Sequence, residues 1–501
     1  MEDPPPEVDR DRDAISGRSP RGRTSCRTTN CLTLSAVLPD NEVILMTHDT
    51  SSTSPASAAP PSRSPVAAAL ASLLGWAFDL FDLFLLLYVA GAVAHNIFPT
   101  ESKTLGLALV FVSFAVSIVM RPGGAALFGS FADNAGRKKI MVVVLLGLGL
   151  STAAMGLTPT YAMAGMFSPV LFLALRIIQG LFVGGVSSVT HTLGTESVPP
   201  RYRGMMSGLV GGGGAGLGAA LASITFIIIS QIFPGDAFNE TGWRFMFFTG
   251  LLGAVLSFFV LRKVEETPAF LEQQRKAKES GTTTKVAFRE MLSGRFGKIT
   301  LLNIAVAAGA GGQYYLTSGF LPTYLDVVVP VSPSERGWVL LVASLVVIVS
   351  ATLAGELSER FGRRITMLVT GGITLVTVPI LLLVLARTDP SNTAQVVLLS
   401  CVVAFLANAA YAPVMIFLNE RYPTAIRSRG TAISWNTGFM LGGLLPTFVT
   451  LLSPTVDDIP SRLMIFVIGT VLVFITAVLA SPETRGGMEK EFSVDRSAAP
   501  N

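Results

Sequence analysis

The stretch Gly129-Ser-Phe-Ala-Asp133-Asn-Ala-Gly136-Arg137-Lys138 returns 226 residues later as Gly355-Glu-Leu-Ser-Glu359-Arg-Phe-Gly362-Arg363-Arg364. Each copy joins two long apolar runs, and each puts an acid, a glycine and two basic residues into the break. A second pair keeps nearly the same period: Glu196 to Gly204 (ESVPPRYRG) is answered by Glu420 to Gly430 (ERYPTAIRSRG). A fixed internal period means two related halves.

The composition around these loops says where the halves reside. Of 501 residues, 50% are apolar and 14% are charged, with 48 glycines, against roughly 25% charged in an ordinary soluble protein. Mean hydropathy is +0.58. That much apolar surface belongs in a bilayer, which excludes soluble enzymes, collagens, coiled coils and disulfide scaffolds. Cys26, Cys31 and Cys401 give neither a disulfide framework nor a metal set. The net charge of +4 carries no aromatic-basic interleaving, so no nucleic-acid partner is expected.

Twelve apolar runs are long enough to span, centred in 66–94, 104–130, 140–158, 167–194, 205–231, 245–261, 299–325, 338–357, 365–386, 394–418, 430–452 and 462–480. Lacking barrel-type alternation, they must be helical, because every backbone polar group in lipid needs an internal partner. The expected organisation is a disordered tail (1–64), a six-helix bundle (65–261), a central loop (262–298), a second six-helix bundle (299–480) and a solvated tail (481–501). Translation starting at Met46 is a further expectation, since the residues before it lack the apolar core of a signal peptide. The short loops on one face hold eleven Lys and Arg and those on the other hold five, while the central loop adds nine to the richer side. The positive-inside bias therefore puts both termini and the central loop in the cytoplasm, and the protein in the plasma or inner membrane.

The repeated loop resembles the signature G-x-x-x-D-x-x-G-R-[KR] of the major facilitator superfamily. Arg121-Pro-Gly-Gly124, Arg176-Ile-Ile-Gln179-Gly180, Glu265-Glu-Thr-Pro268-Ala-Phe270, Leu321-Pro-Thr-Tyr324 and Glu420-Arg-Tyr-Pro423 are similar to its metabolite:proton symporters, and the resemblance covers about residues 66 to 485. The first run, Gly75-Trp-Ala-Phe-Asp79-Leu-Phe-Asp82-Leu-Phe, is similar to the carboxylate and sialate proton symporters; Val186 stands where the metabolite group often has an acid. The resemblance implies an all-α fold of twelve transmembrane helices in two pseudo-symmetric bundles, working by alternating access as a monomer. Asp133 with Arg137, and Glu359 with Arg363, are the expected gating latches, because an acid at a helix end can pair with an arginine or a helix N-terminus in one state and lose it in the other.

Charges deep in a span are costly and mark function. Asp79, Asp82, Arg121 and Arg176 all lie in the first half; 226 residues on stand Ala305, Ala308, Val347 and Val402. At about 1.5 Å per residue, Asp79, Arg121 and Arg176 fall near the middle of a roughly 30 Å core. His95, His191 and Glu356 lie nearer to span ends. Asp79 and Asp82 are the expected proton-coupling groups. Arg121 and Arg176 are expected to grip a carboxylate, with Gln179 beside them. From the second half come Gln313, Tyr314, Asn408, Tyr411, Trp435 and Asn436, with Asn303, Tyr315 and Pro413 on the same helices. The expected activity is proton-coupled uptake of a small organic acid or zwitterion. The proton gradient drives it, with no other cofactor, no metal and no enzymatic reaction; an exporter or antiporter and an uncoupled facilitator are the alternatives. The glycine-dense run Gly208 to Gly218 is expected to bring helices close. The absence of a proline between Ser207 and Phe233 sets it apart from the glycine-proline motif of the superfamily's drug antiporters.

Overall fold

The computed structural model describes residues 65–135, 137–196, 200–263, 294–423 and 427–486, and every regular element among them is helical. The expected tail 1–64 with its Met46 start, and most of the central loop, lie outside the described residues.

Among the described residues twelve rods succeed one another. In the first half they are α1 (Pro65–Tyr88, continued by Ala90–Ile97), α2 (Lys103–Ala135), α3 (Arg137–Gly156), α4 (Phe167–Glu196), α5 (Arg203–Ile232) and α6 (Trp243–Phe248 and Leu251–Lys263). In the second they are α7 (Gly294–Tyr314, then Leu321–Val327), α8 (Pro333–Phe361), α9 (Arg363–Ala386), α10 (Thr393–Tyr411 and Val414–Glu420), α11 (Arg427–Gly443 and Leu445–Leu451) and α12 (Ile459–Leu479). Among the described residues eight helices are long and apolar enough to cross a bilayer unaided, and the bent pair of α1 makes a ninth. The other three, α6, α7 and α11, are interrupted or carry polar residues.

The breaks have local causes. α10 stops at Tyr411 and resumes after Pro413, and α11 restarts with Pro446 in its new first turn; proline lacks the N–H and clashes with the preceding turn. α5 and α7 each carry a π turn, at Leu209–Gly213 and Tyr315–Gly319, a feature that collects at functional sites. α1 bends by 58° between Tyr88 and Ala90.

Glycines set the closest contacts. A Cβ on Gly208, Gly212 or Gly216 of α5 would strike Ala351, Ser344 or Ile348 of α8, while one on Gly214 or Gly218 would strike Trp76 or Ala77 of α1. Glycines at i, i+4 and i+8 thus face one neighbour and a second pair faces the other. The same device joins α2 to α4, where a Cβ on Gly184 would fall on the carbonyl oxygen of Arg121. Gly184→Ala is therefore expected to push α4 off α2 at the arginine. Overpacking of this kind costs about 1–3 kcal/mol and should remove most transport. Gly372→Ala, whose Cβ would meet nothing within 4 Å, should behave as wild type. Folded yield on size-exclusion chromatography and initial uptake rates test the pair.

Outward faces are apolar in rows such as Val369, Ile373, Val376 and Ile380, all exposed, which suits lipid.

The two halves touch at both ends of the rods. At the end carrying the Glu359–Arg363 loop, Gly204 and Gly208 of α5 meet Gly355 of α8. At the other end, Phe111 of α2 stacks on Phe320 at 5.2 Å and the Arg336 guanidinium lies over the Phe226 ring of α5 at 5.1 Å.

Candidate functional site

The four deep charges are brought together, but not as one balanced square. Asp79 of α1 faces Arg121 of α2 at 3.6 Å. Asp79 is 1% exposed, yet its Oδ1 and the Nε of Arg121 have no hydrogen-bond partner among the described residues. Asp82, one turn further, sees neutral donors. The Thr152 hydroxyl of α3 donates to its Oδ1, and the Gln179 amide of α4 donates to both carboxylate oxygens at 2.8 and 2.7 Å. Arg176 stands behind Gln179, donating to its Oε1 at 2.5 Å. The expected grip of Arg176 on a carboxylate is thus occupied by an amide in this state, and its Nε and Nη2 are unpartnered and buried. Buried polar groups without partners are costly, and these atoms are free to take a hydrogen-bonding ligand.

An aromatic cluster closes the other side. Trp435 of α11 stacks on Phe439 at 3.9 Å and meets Trp76 of α1 and Tyr411 of α10, both at 5.8 Å. Tyr411 stacks on Tyr314 of α7 at 5.7 Å, and Tyr314 touches Phe84 of α1 at 6.4 Å. Asp79 lies within electrostatic reach of Tyr314, Tyr315 and Tyr411, and Arg121 of Tyr314 and Tyr315. The charged wall of one half and the aromatic wall of the other therefore enclose one region. A cavity of about 20 Å³ opens beside Phe84, Tyr88 and Tyr314, which holds a water but not a metabolite. With the halves in contact at both ends, this state is closed.

The remaining expected residues divide. Asn408 bridges toward the cluster, donating to Ser318 at 2.9 Å with its Oδ1 unpartnered. Gln313 is buried and donates to Gly309 of its own helix, its Oε1 also unpartnered. Asn436 back-bonds to Ala432. Asn303 departs from expectation: it accepts from Arg421 at 2.7 Å, because its register places it about one turn from the start of the apolar run. His95 is exposed. Glu356 pairs with Arg360 at 2.9 Å. The side chains of Asp133, Arg137 and His191 lie outside those described.

In the second loop copy, Arg363 is 1% exposed and donates to Glu359 at 2.6 Å and to Glu420 at 3.1 Å. Glu359 also accepts the Gly204 backbone N–H of α5 at 2.9 Å, so one carboxylate holds an arginine of its own half and a helix start of the other. Sequence reasoning missed Glu420 as a partner, and it read the chain after Pro482 as solvated. Glu483 and Arg485 are exposed as expected, residues 487–501 lie outside those described, and the addition concerns Glu483 and Thr484. Glu483 accepts the backbone N–H groups of Arg363 and Arg364 at 2.9 and 3.0 Å, and Thr484 donates to Glu420 at 2.7 Å. A carboxylate is drawn to the free N–H groups of a helix start, here α9. The signal available was Glu266-Thr267 after α6, which Glu483-Thr484 echoes after α12.

Comparison with known proteins agrees with this architecture. Residues 64–299 match the family described as "Sugar (and other) transporter", and residues 329–497 match "Major Facilitator Superfamily". The chain is 30% identical to the inner membrane metabolite transport protein YhjE of Escherichia coli strain K12 over 391 residues, covering 76% of this chain and 86% of that protein. It is 28% identical to a proline/betaine transporter of Salmonella typhimurium, covering 81% and 82%. A crystal structure of a D-xylose-proton symporter superposes with a TM-score of 0.64 at 18% identity, over 84% of this chain and 99% of that one, and shows the shared fold. These relatives are transporters and not enzymes. The chain is a multi-pass membrane transporter and belongs to the major facilitator superfamily, among its metabolite transporters.

Proposed function

We propose that the protein imports a small zwitterionic carboxylate together with a proton, by alternating access in an inner membrane, with both termini in the cytoplasm. The observation that carries this reading is the loose Asp79–Arg121 pair beside the aromatic cluster, with an unpartnered atom on each side. Arg121 can hold one carboxylate bidentately. When the substrate's carboxylate takes that place, Asp79 is left buried without its cation unless it gains a proton. Proton and substrate then bind interdependently, as linkage requires for symport.

The aromatic wall refines the substrate. Ring faces attract a cationic nitrogen, most of all one that cannot hydrogen-bond well. A molecule with a carboxylate at Arg121 and an ammonium against Tyr411, Tyr314 and Trp435 fills both walls and adds no net charge. This favours a zwitterion over the plain organic acid also expected from sequence, in keeping with the proline/betaine transporters among the relatives. Asn408 and Gln313 would supply acceptors, and the Glu359–Arg363 loop would latch the cytoplasmic side.

Proteoliposomes with an imposed inward proton gradient test this with labelled glycine betaine, proline and citrate. Concentrative uptake of a zwitterion, collapsed by a protonophore, is expected. Concentrative uptake of citrate alone, or zwitterion uptake indifferent to the gradient, would overturn the reading.

A further inference from the structure

We infer that Thr152 on α3 is a positioning residue that sets the proton affinity of Asp82. The inference rests on the symport reading above, with Asp82 as the second of the two proton-coupling carboxylates expected from the sequence. It extends that reading to a helix that sequence reasoning left without a role.

Three observations place Thr152. Its side chain is fully buried, and its hydroxyl donates to Asp82 while accepting from Gln179 at 2.9 Å. Its rotamer is pinned, because a β-branched side chain is stiff and its Cβ and Cγ2 pack on Gly250 between the two segments of α6. A Cβ added to Gly250 would lie 2.7 Å from both atoms. The hydroxyl is thereby aimed at the carboxylate.

The chemistry of the partners assigns the role. Arg176 can only donate, so the oxygen of Gln179 faces Arg176 and its NH₂ faces Asp82. That NH₂ cannot accept. When Asp82 takes a proton, its new O–H needs an acceptor. Among the described partners of Asp82 the Thr152 hydroxyl alone can donate in one state and accept in the other. The step balances within the site: one proton joins the carboxylate, no other bond breaks, and the hydroxyl hydrogen turns to a backbone carbonyl of its own helix, as helical threonines do. The charged groups facing Asp82 are Arg176 from α4, Arg121 from α2 and Asp79 from its own helix. All three are untouched by a change at 152.

Removing the hydroxyl deprives the carboxylate of a donor and the acid of an acceptor; the hydrogen bond to the charged group is the stronger of the two, so the proton is held more tightly. Thr152→Val is expected to raise the pH at which uptake is half-maximal by about one unit. Thr152→Ser, which keeps the hydroxyl, should return it close to the wild-type value. Thr152→Ala, which adds no methyl against Asp82, carries the same expectation as valine if the valine protein does not fold. Uptake by purified protein in proteoliposomes across external pH 5 to 9 reads the midpoint. An unchanged midpoint in a folded Thr152→Val or Thr152→Ala protein, with the wild type clearly pH-dependent, would overturn the inference alone. A wild type indifferent to pH would overturn the symport reading and this inference with it.

Discussion

Arg363→Ala is expected to destabilise the protein by about 3–5 kcal/mol, the usual cost of removing one partner from a buried ion pair. The guanidinium is 1% exposed and holds two carboxylates, of which Glu420 is 5% exposed and Glu359 20%. Without it, Glu420 keeps among the described residues only the Thr484 hydroxyl, and a buried carboxylate with so little compensation is the costly species. A fall of several degrees in apparent melting temperature in detergent, beside wild type, checks the magnitude. Glu359→Gln should cost much less, because Arg363 keeps Glu420 and the new amide oxygen can still accept from Gly204. Its effect belongs to motion: the Glu359–Gly204 bond joins the halves and must break if one rocks against the other.

Asp79→Asn is expected to abolish proton-driven accumulation while sparing exchange of substrate across the membrane. The asparagine is near in shape to a protonated aspartate, so the site can stay loaded without a proton. Accumulation against a gradient should fall by roughly 5- to 150-fold, the usual span of a coupling between two ligands. Counterflow of labelled substrate should continue at a comparable rate. Measuring both in one proteoliposome preparation separates coupling from binding. Full pumping by Asp79→Asn would remove Asp79 from the proton path.

Nine of the twelve rods were legible as runs of about twenty apolar residues, and lipid allows such a run one backbone solution; α6, α7 and α11, interrupted or carrying polar residues, were legible from the repeat of the two halves. The four deep charges were legible for the converse reason, since nothing else in those runs bears the cost of burial. Their partners were not. Thr152 reaches Asp82 across 70 residues of chain, and a threonine in an apolar run looks like helix filler. The pairing of Asp79 with Arg121, and of Arg176 with Gln179, depends on helix rotation, which hydropathy leaves free. The glycine run of α5 announced close packing, and its two faces follow from helical periodicity, yet the π turn within it has no sequence mark. The bonds of Glu483 were missed because a polar segment after the last span has the composition of a tail; the echo of Glu266-Thr267 marks the pair, and the position of α9's first N–H groups shows what it holds.

The most direct measurement is of proton movement in proteoliposomes holding an internal pH dye, with glycine betaine or proline added outside. The substrate should acidify the lumen in wild type, to a degree that saturates with concentration, and should fail to do so in Asp79→Asn. Substrate entry with no acidification in wild type, or acidification undiminished in Asp79→Asn, would contradict the coupling of proton and substrate through the Asp79–Arg121 pair.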